Sequence, residues 1–108
     1  MEAALRALVE PRRREILRLV VDRERSAGEI ASHFDVTRPA ISQHLGVLKD
    51  AGLLVERRDG TRRLYRARPE GLDEVRAFLD EFWGDGLERL KTVAEQDQRR
   101  QHARGDKR

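Results

Sequence analysis

Apolar residues recur at steps of three and four along most of the chain, and this spacing predicts helices. The predicted helices cover residues 2–9, 11–22, 27–34, 37–52 and 69–97. Ser26 and Glu29 form the capping-box pattern that begins a helix, and Thr37 has the character of an N-cap. Gly52 is well placed to end the fourth helix in a left-handed conformation. The pattern therefore predicts a mainly helical domain.

Between the fourth and fifth helices, the segment LLVERRDGTRRLYRA predicts two strands instead. Asp59 and Gly60 are a strong signal for a two-residue hairpin turn. That turn would pair Arg57 with Arg62, whose charges repel unless a polyanion lies beside them. Because a lone two-stranded ribbon is marginally stable, we expect it to pack on the helices through Leu53, Val55, Leu64 or Tyr65. The predicted order is ααααββα, an α+β fold that is mainly α with a two-stranded β-hairpin.

The fourth predicted helix has two distinct faces. Ile41, Leu45 and Leu48 recur at helical spacing and are expected to face inward. The other side has long donors and amides, and no carboxylate before Asp50. Its members are Arg38, Ser42, Gln43 and Lys49, with His44 near the edge. Such a face suits the major groove of DNA better than a protein core.

Charge is distributed unevenly along the 108 residues. Residues 1–68 carry 15 Lys/Arg and 10 Asp/Glu, residues 69–97 carry 3 and 9, and residues 98–108 carry 5 and 1. A basic first part indicates a surface for a polyanion. The tail has no strongly apolar residue, so we expect residues 1–97 to form the domain and 98–108 to be a disordered basic tail. The cluster Arg12–Arg14 fits either solvated charge or a supporting phosphate contact.

The fifth predicted helix carries a wide apolar stripe on an acidic helix. The core of a single chain can cover only part of this stripe. We therefore expect the helix to pack against the first helix and against a second copy of the chain. The alternative is that this helix only folds back over the core of its own chain. The predicted homodimer interface comprises Leu5, Leu8, Leu72, Val75, Leu79, Phe82, Trp83, Leu87 and Leu90.

Enzyme and metal chemistry find little support. There is no cysteine, no HExxH motif, no glycine-rich phosphate loop and no nucleophile elbow. Ser42 and His44 lie two apart on one helix, so their side chains diverge. We therefore predict no enzyme activity, no catalytic residues, no cofactor and no metal site. No membrane span or signal peptide is visible, which favours the cytoplasm.

The run EPRRREILRLV, followed by SAGEIASHFDVTRPAISQHLGVLKDAGLLVERRDGTRRLYRARPE, resembles the ArsR family of bacterial winged helix-turn-helix repressors. The resemblance covers roughly residues 4–83 and implies a homodimer that binds an imperfect palindrome in double-stranded DNA. It also implies DNA contacts from the fourth helix and the hairpin, or wing. These residues are Thr37, Arg38, Pro39, Ser42, Gln43, His44, Arg57, Arg58, Thr61, Arg62 and Arg63.

The chain departs from the metal-sensing members of that family. It lacks their cysteines on the third helix and has no histidine on the last, so it is more similar to the non-metal, autorepressor-like branch. Glu10 also stands where an aspartate N-cap is usual. Two alternatives remain, a winged-helix module that binds an acidic protein and a repressor that senses metal through carboxylates. The sequence does not identify an inducer, or show that one exists.

Overall fold

The computed structural model describes the backbone of residues 1–106 and the side chains of residues 1–81 and 88–98. Its elements follow in chain order: α1 (Glu2–Val9), α2 (Pro11–Val20), β1 (Arg25–Ser26), α3 (Ala27–Ala31), α4 (Arg38–Asp50), β2 (Leu54–Asp59), β3 (Arg62–Ala67) and α5 (Pro69–Asp106). The chain divides into two compact units, Met1–Val75 and a second that begins at Arg76. The mainly helical winged fold predicted from the sequence is confirmed.

The hydrophobic core of the first unit joins its helices to its sheet. Ile41, Leu45 and Leu48 of α4 are at most 1% exposed, which confirms the predicted inward face. They pack in one cluster with buried side chains from α1, α2, α3 and the hairpin. Each such aliphatic side chain contributes about 1.5–3 kcal/mol through burial. This cluster fixes the outward direction of the opposite face of α4.

Local capping contacts define the starts of α3 and α4 and the end of α4. The Ser26 hydroxyl accepts from the backbone N–H of Glu29 at 3.1 Å, and the Glu29 carboxylate accepts from the N–H of Ser26 at 3.3 Å. Thr37 caps α4 by accepting from the N–H of Ala40 at 3.3 Å. Gly52 has φ +77°, which only glycine adopts easily. These predictions are confirmed.

Several predicted boundaries are corrected. α2 ends at Val20 instead of residue 22, and α3 ends at Ala31 instead of residue 34. The backbone N–H groups of His33 and Phe34 donate to carbonyls three residues back instead of four, so the α-helical hydrogen bonding ends here. Helical backbone in α5 continues to Asp106, beyond the predicted end at residue 97, because the added segment is rich in helix-forming Gln and Arg. The division into a domain and a tail stays a prediction.

The sheet has three antiparallel strands in the order β1-β3-β2, so the predicted two-stranded hairpin was incomplete. β1 is only two residues long, too short for a periodic signal. The predicted register is also wrong, because Asp59 pairs with Arg62 and Arg57 pairs with Leu64. Gly60 has φ +65° and Thr61 has no positive φ, so the turn consists of Gly60 and Thr61. A turn with glycine at its first central position matches type II′.

The start of α5 lies directly on the end of α4. The N–H of Arg68 donates to the carbonyl of Leu53 at 2.8 Å, and its guanidinium donates to the carbonyl of Gly52 at 3.3 Å. A Cβ atom at Gly71 would collide with that same Gly52 carbonyl. The absence of a side chain at Gly71 therefore permits the close approach. No helix in the described part of the chain is both long and apolar enough to span a membrane.

Candidate nucleic-acid interface

Three polar side chains on the outward face of α4 have no partner among the side chains that the structure describes. Arg38, Ser42 and Gln43 are exposed. Among the side chains that the structure describes, none of these three makes a hydrogen bond or an ion pair. Their donors and acceptors are therefore available to a ligand without the loss of an internal contact.

The other predicted contacts on α4 have additional structural roles. Thr37 is exposed, but its hydroxyl oxygen already caps the helix, and Pro39 is exposed in the first turn. The His44 ring is half-buried, and its Nδ1 lies 3.4 Å from a guanidinium nitrogen of Arg13. Because arginine has donors and no acceptor, this ring nitrogen accepts in the contact. His44 therefore presents only its other nitrogen as a donor.

The arginine cluster of α2 has a role that neither sequence interpretation included. Arg13 donates to the carbonyl of Ala7 at 2.7 Å. Arg14 donates to the carbonyls of Leu8 and Val9 at 2.7 and 2.9 Å. These are carbonyls at the end of α1, where helical hydrogen bonds run out. Arg13 and Arg14 thus cap the preceding helix.

Three of the four arginines at the tip of the wing are already paired with carboxylates. Arg57 binds Glu24 through two contacts, at 3.0 and 2.6 Å. Arg62 lies 3.0 Å from Glu29, and Arg63 lies 3.7 Å from Glu56. The prediction that Arg57 and Arg62 lie opposite each other and repel was wrong. The observed register separates them and places Arg58 opposite Arg63 instead.

Arg58 differs from its neighbours on the wing. It is exposed, and it makes no hydrogen bond or ion pair within the described side chains. Thr61 is also exposed, in the turn at the tip. The tip of the wing therefore presents one guanidinium that is ready for an anion and three that must first exchange a carboxylate.

The ion pairs shift the titration of the groups involved. Hydrogen bonding from Arg57 lowers the pKa of Glu24, and Glu24 in turn raises the pKa of Arg57. The pKa of Glu29 is lowered mainly by its hydrogen bonds with Ser26, and that of Glu56 mainly by its hydrogen bond from Lys49. All three carboxylates are consequently ionised at neutral pH.

A groove of about 550 Å³ lies between α4, the start of α3 and the wing. Arg38, Ser42 and Lys49 line it from α4, and the wing contributes Arg62 and Arg63. Gln43 and His44 are not among its lining residues. The structure thus brings Arg38 and Ser42 together with the wing and leaves Gln43 on a separate part of the α4 surface.

The sequence prediction missed four charged residues at this site. Lys49 was recognised on the outward face and Glu56 was placed on a strand of the hairpin, but neither was given a role, and Glu24 and Glu29 were not connected with the wing. Glu29 carried a capping signal, which points only to the chain three residues away. Arg57–Glu24 and Arg62–Glu29 each join residues 33 positions apart, and no local spacing indicates such pairs.

Comparison with known proteins shows which family this chain belongs to. The model for bacterial regulatory proteins of the arsR family matches residues 10–55. The HTH-type transcriptional regulator Rv2034 of Mycobacterium tuberculosis is 44% identical over 86 residues, covering 80% of each chain. The chain belongs to the arsR family.

Two further relatives agree with this assignment. The transcriptional repressor SdpR of Bacillus subtilis is 40% identical over 60 residues, which is 56% of this chain and 67% of the relative. A solved structure described as a possible transcriptional regulator for arsenical resistance has a TM-score of 0.73 at 44% identity, covering 83% of this chain and 94% of that one. This arsR-family protein is a DNA-binding transcriptional regulator, and the family consists of regulators instead of enzymes.

The predicted dimer residues of this regulator fall into three groups. Leu5, Leu8 and Leu72 are half-buried against the core of their own chain, and Val75 is 6% exposed. Leu79 and Leu90 are 40% and 55% exposed. Phe82, Trp83 and Leu87 lie outside the described side chains. The predicted interface is thus partly occupied within one chain and partly exposed.

The described part of the arsR-family regulator has no group of three His, Cys, Asp or Glu side chains arranged to hold a metal ion. The carboxylates of the wing are instead engaged with arginine and lysine.

Proposed function

We propose that this regulator is a homodimeric repressor that binds an imperfect palindrome in double-stranded DNA. Each protomer inserts α4 into a major groove and lays its wing on the flanking DNA. The observation that carries the proposal is the outward face of α4, where Arg38, Ser42 and Gln43 are exposed and have no partner among the described side chains. Such a face gains hydrogen bonds on binding and loses none.

Each residue of the face has a role that follows from its chemistry. Gln43 reads a base, because an amide pairs with adenine through two hydrogen bonds. Arg38 reads guanine or holds a phosphate, and Ser42 and His44 hold phosphates. Thr37 and Pro39 set the approach of the first turn. Phosphate contacts fix the register of the protein on DNA, so that the base contacts meet the correct positions.

The wing provides affinity that depends little on sequence. Arg58 binds a phosphate directly, while Arg57, Arg62 and Arg63 exchange their carboxylates for phosphates. Thr61 contacts the backbone at the tip. Lys and Arg contacts to phosphates release counterions, which makes this part of the binding dependent on salt.

A second copy of the chain completes the site. Leu79 and Leu90 expose apolar surface on α5. When α5 of a second chain packs against this surface, both helices bury their apolar side chains. Two protomers then place their recognition helices about 34–36 Å apart along one face of DNA. SdpR, which is named as a repressor, supports repression as the direction of control. The protein acts where the bacterial chromosome lies, in the cytoplasm.

The test is selection from a pool of random duplexes, followed by sedimentation of the selected complex. The retained sequences should share two inverted half-sites about 10 base pairs apart, and the complex should contain two chains per duplex. Placed over a promoter, the selected site should lower expression of a reporter when the protein is present. A rise in expression would instead identify an activator.

Leu90→Asp tests the role of α5 in the same assay. A charge in an apolar interface should yield monomers and abolish selection of paired half-sites. Gln96→Asp is the control, because Gln96 is exposed on the same helix and polar already. Single half-sites selected by a wild-type monomer would contradict the homodimer.

A further inference from the structure

Glu56 occupies a special position between the two parts of the proposed interface. It lies on β2 with a side chain that is only 17% exposed. Its Oε2 accepts from the ammonium of Lys49 in the last turn of α4 at 3.1 Å. Its Oε1 lies 3.7 Å from Nε of Arg63 on β3. One carboxylate therefore links the recognition helix to both strands of the wing.

The other carboxylates that bind arginines of the wing make different connections. Glu24 precedes β1 and holds Arg57, while Glu29 belongs to α3 and holds Arg62. Within the described side chains, the contact of Glu56 with Lys49 is the ion pair that joins the hairpin to α4. It thus constrains the position of the wing relative to the helix that reads the bases.

The location of Glu56 is unfavourable for simple affinity. It lines the same groove as Arg38, Lys49 and Arg63, and its negative charge repels the phosphates of a DNA ligand. It also occupies two cations that would otherwise bind phosphates of any sequence. A carboxylate here lowers the affinity for DNA of any sequence. Its benefit is therefore sought in the relative position of α4 and the wing.

We infer that Glu56 is a positioning residue that raises the selectivity of DNA binding. It holds Lys49 and Arg63 at a fixed separation, sets the angle between α4 and the wing, and masks both cations from DNA that does not fit. On a correct site, phosphates at the right distance meet both cations without moving the wing. This inference rests on the proposed function, because it assumes that α4 and the wing bind one duplex together.

The experiment compares wild type with Glu56→Gln, which keeps the size of the side chain and removes its charge. Binding is measured on the selected duplex and on a random duplex over a range of salt concentrations. We expect random binding to increase and its salt slope to steepen by up to about 1.8, or about 0.9 for each released cation. The ratio of specific to random binding should fall by about fivefold.

Two variants separate positioning from a general loss of structure. Glu15→Gln removes an ion pair with Arg18 on the exposed surface of α2, and it should leave the ratio and the salt slope unchanged. Lys49→Gln breaks the link from the side of the helix, and it should lower the ratio without raising random binding as Glu56→Gln does. We expect both variants to fold, because the side chains of Glu15 and Lys49 are exposed.

The possible outcomes are distinct. An unchanged ratio in Glu56→Gln and Lys49→Gln would overturn the inference, even if the thermal midpoint fell. An unchanged ratio in Lys49→Gln alone would overturn it as well when Glu56→Gln fails to fold. If wild type itself binds selected and random duplexes equally, the proposed function fails before Glu56 is tested.

Discussion

α4 and the wing face the same groove, yet they treat their polar groups in opposite ways. Arg38, Ser42 and Gln43 on α4 have no hydrogen-bond or ion-pair partner among the described side chains. Most arginines of the wing, in contrast, are held by carboxylates. Arg57 has two contacts with Glu24, and Arg58 beside it has none within the described residues. The difference separates two modes of binding within one domain.

A free donor gains the whole contact when it meets its base, so it discriminates strongly between bases. A paired arginine exchanges one anion for another, and the net change is small because exposed ion pairs contribute little to stability. The helix is therefore expected to determine which sequence binds. The wing is expected to determine how closely a duplex must fit before its cations are released.

The largest expected effect concerns Gln43. Gln43→Ala should weaken binding to the selected site by about 1–3 kcal/mol and relax the preference at one base pair, because a bidentate contact is lost. Affinity measurements on the selected duplex and on its three variants at that position provide the test.

Gln96→Ala is the matched control for this substitution, since Gln96 is exposed on α5. It should leave both affinity and preference unchanged. If Gln43→Ala weakened binding to selected and random duplexes equally, Gln43 would not read a base, and the contrast between helix and wing would collapse.

A smaller effect distinguishes the two neighbouring arginines of the wing. Arg58→Ala should reduce the salt slope of binding by about 0.9, because one phosphate contact is lost. Arg57→Ala should reduce it less, since Arg57 must first leave Glu24. Salt titrations of the two variants on one random duplex measure the difference.

The comparison becomes sharper in a Glu24→Gln background. There Arg57 has lost its anionic partner, so Arg57→Ala should cost as much as Arg58→Ala. Equal losses for the two arginines in the wild-type background would show that pairing with Glu24 does not restrain Arg57.

The smallest effect is in pH. The pKa of Glu24 is lowered from its ordinary value of 4.5, so its ion pair stabilises the fold fully above pH 4.5 and stops doing so as pH falls through the lowered value. The difference in urea midpoint between wild type and Glu24→Gln should be constant from pH 8 to 6. It should shrink below pH 4.5.

The same titration on Glu15→Gln provides a reference for an ion pair away from the wing. A difference between wild type and Glu24→Gln that changed between pH 8 and 6 would implicate a histidine instead of this carboxylate.

The contrast also explains what the sequence could predict. The inward and outward faces of α4, its Thr37 cap and the Ser26–Glu29 box depend on residues three or four apart, and periodicity reports such relations directly. The family motifs then assigned the DNA-binding role.

The remaining features depend on partners that are distant in sequence. Arg57 could pair with any of 20 acidic residues, and the choice of Glu24 depends on the packing of β1 beside β3. The turn at Gly60 was misplaced by one residue because Asp-Gly and Gly-Thr both satisfy hairpin rules. Arg13 and Arg14 reach the end of α1 only because the chain reverses at Pro11.

The strand order β1-β3-β2 also has a consequence for handling the protein. In the described part of the sheet, β2 is an edge strand, and unpaired edges invite strands of other molecules to add. That edge carries four consecutive charged residues, Glu56, Arg57, Arg58 and Asp59. Substitutions that neutralise them to study DNA binding also remove protection against aggregation, so each such variant should be checked for its association state first.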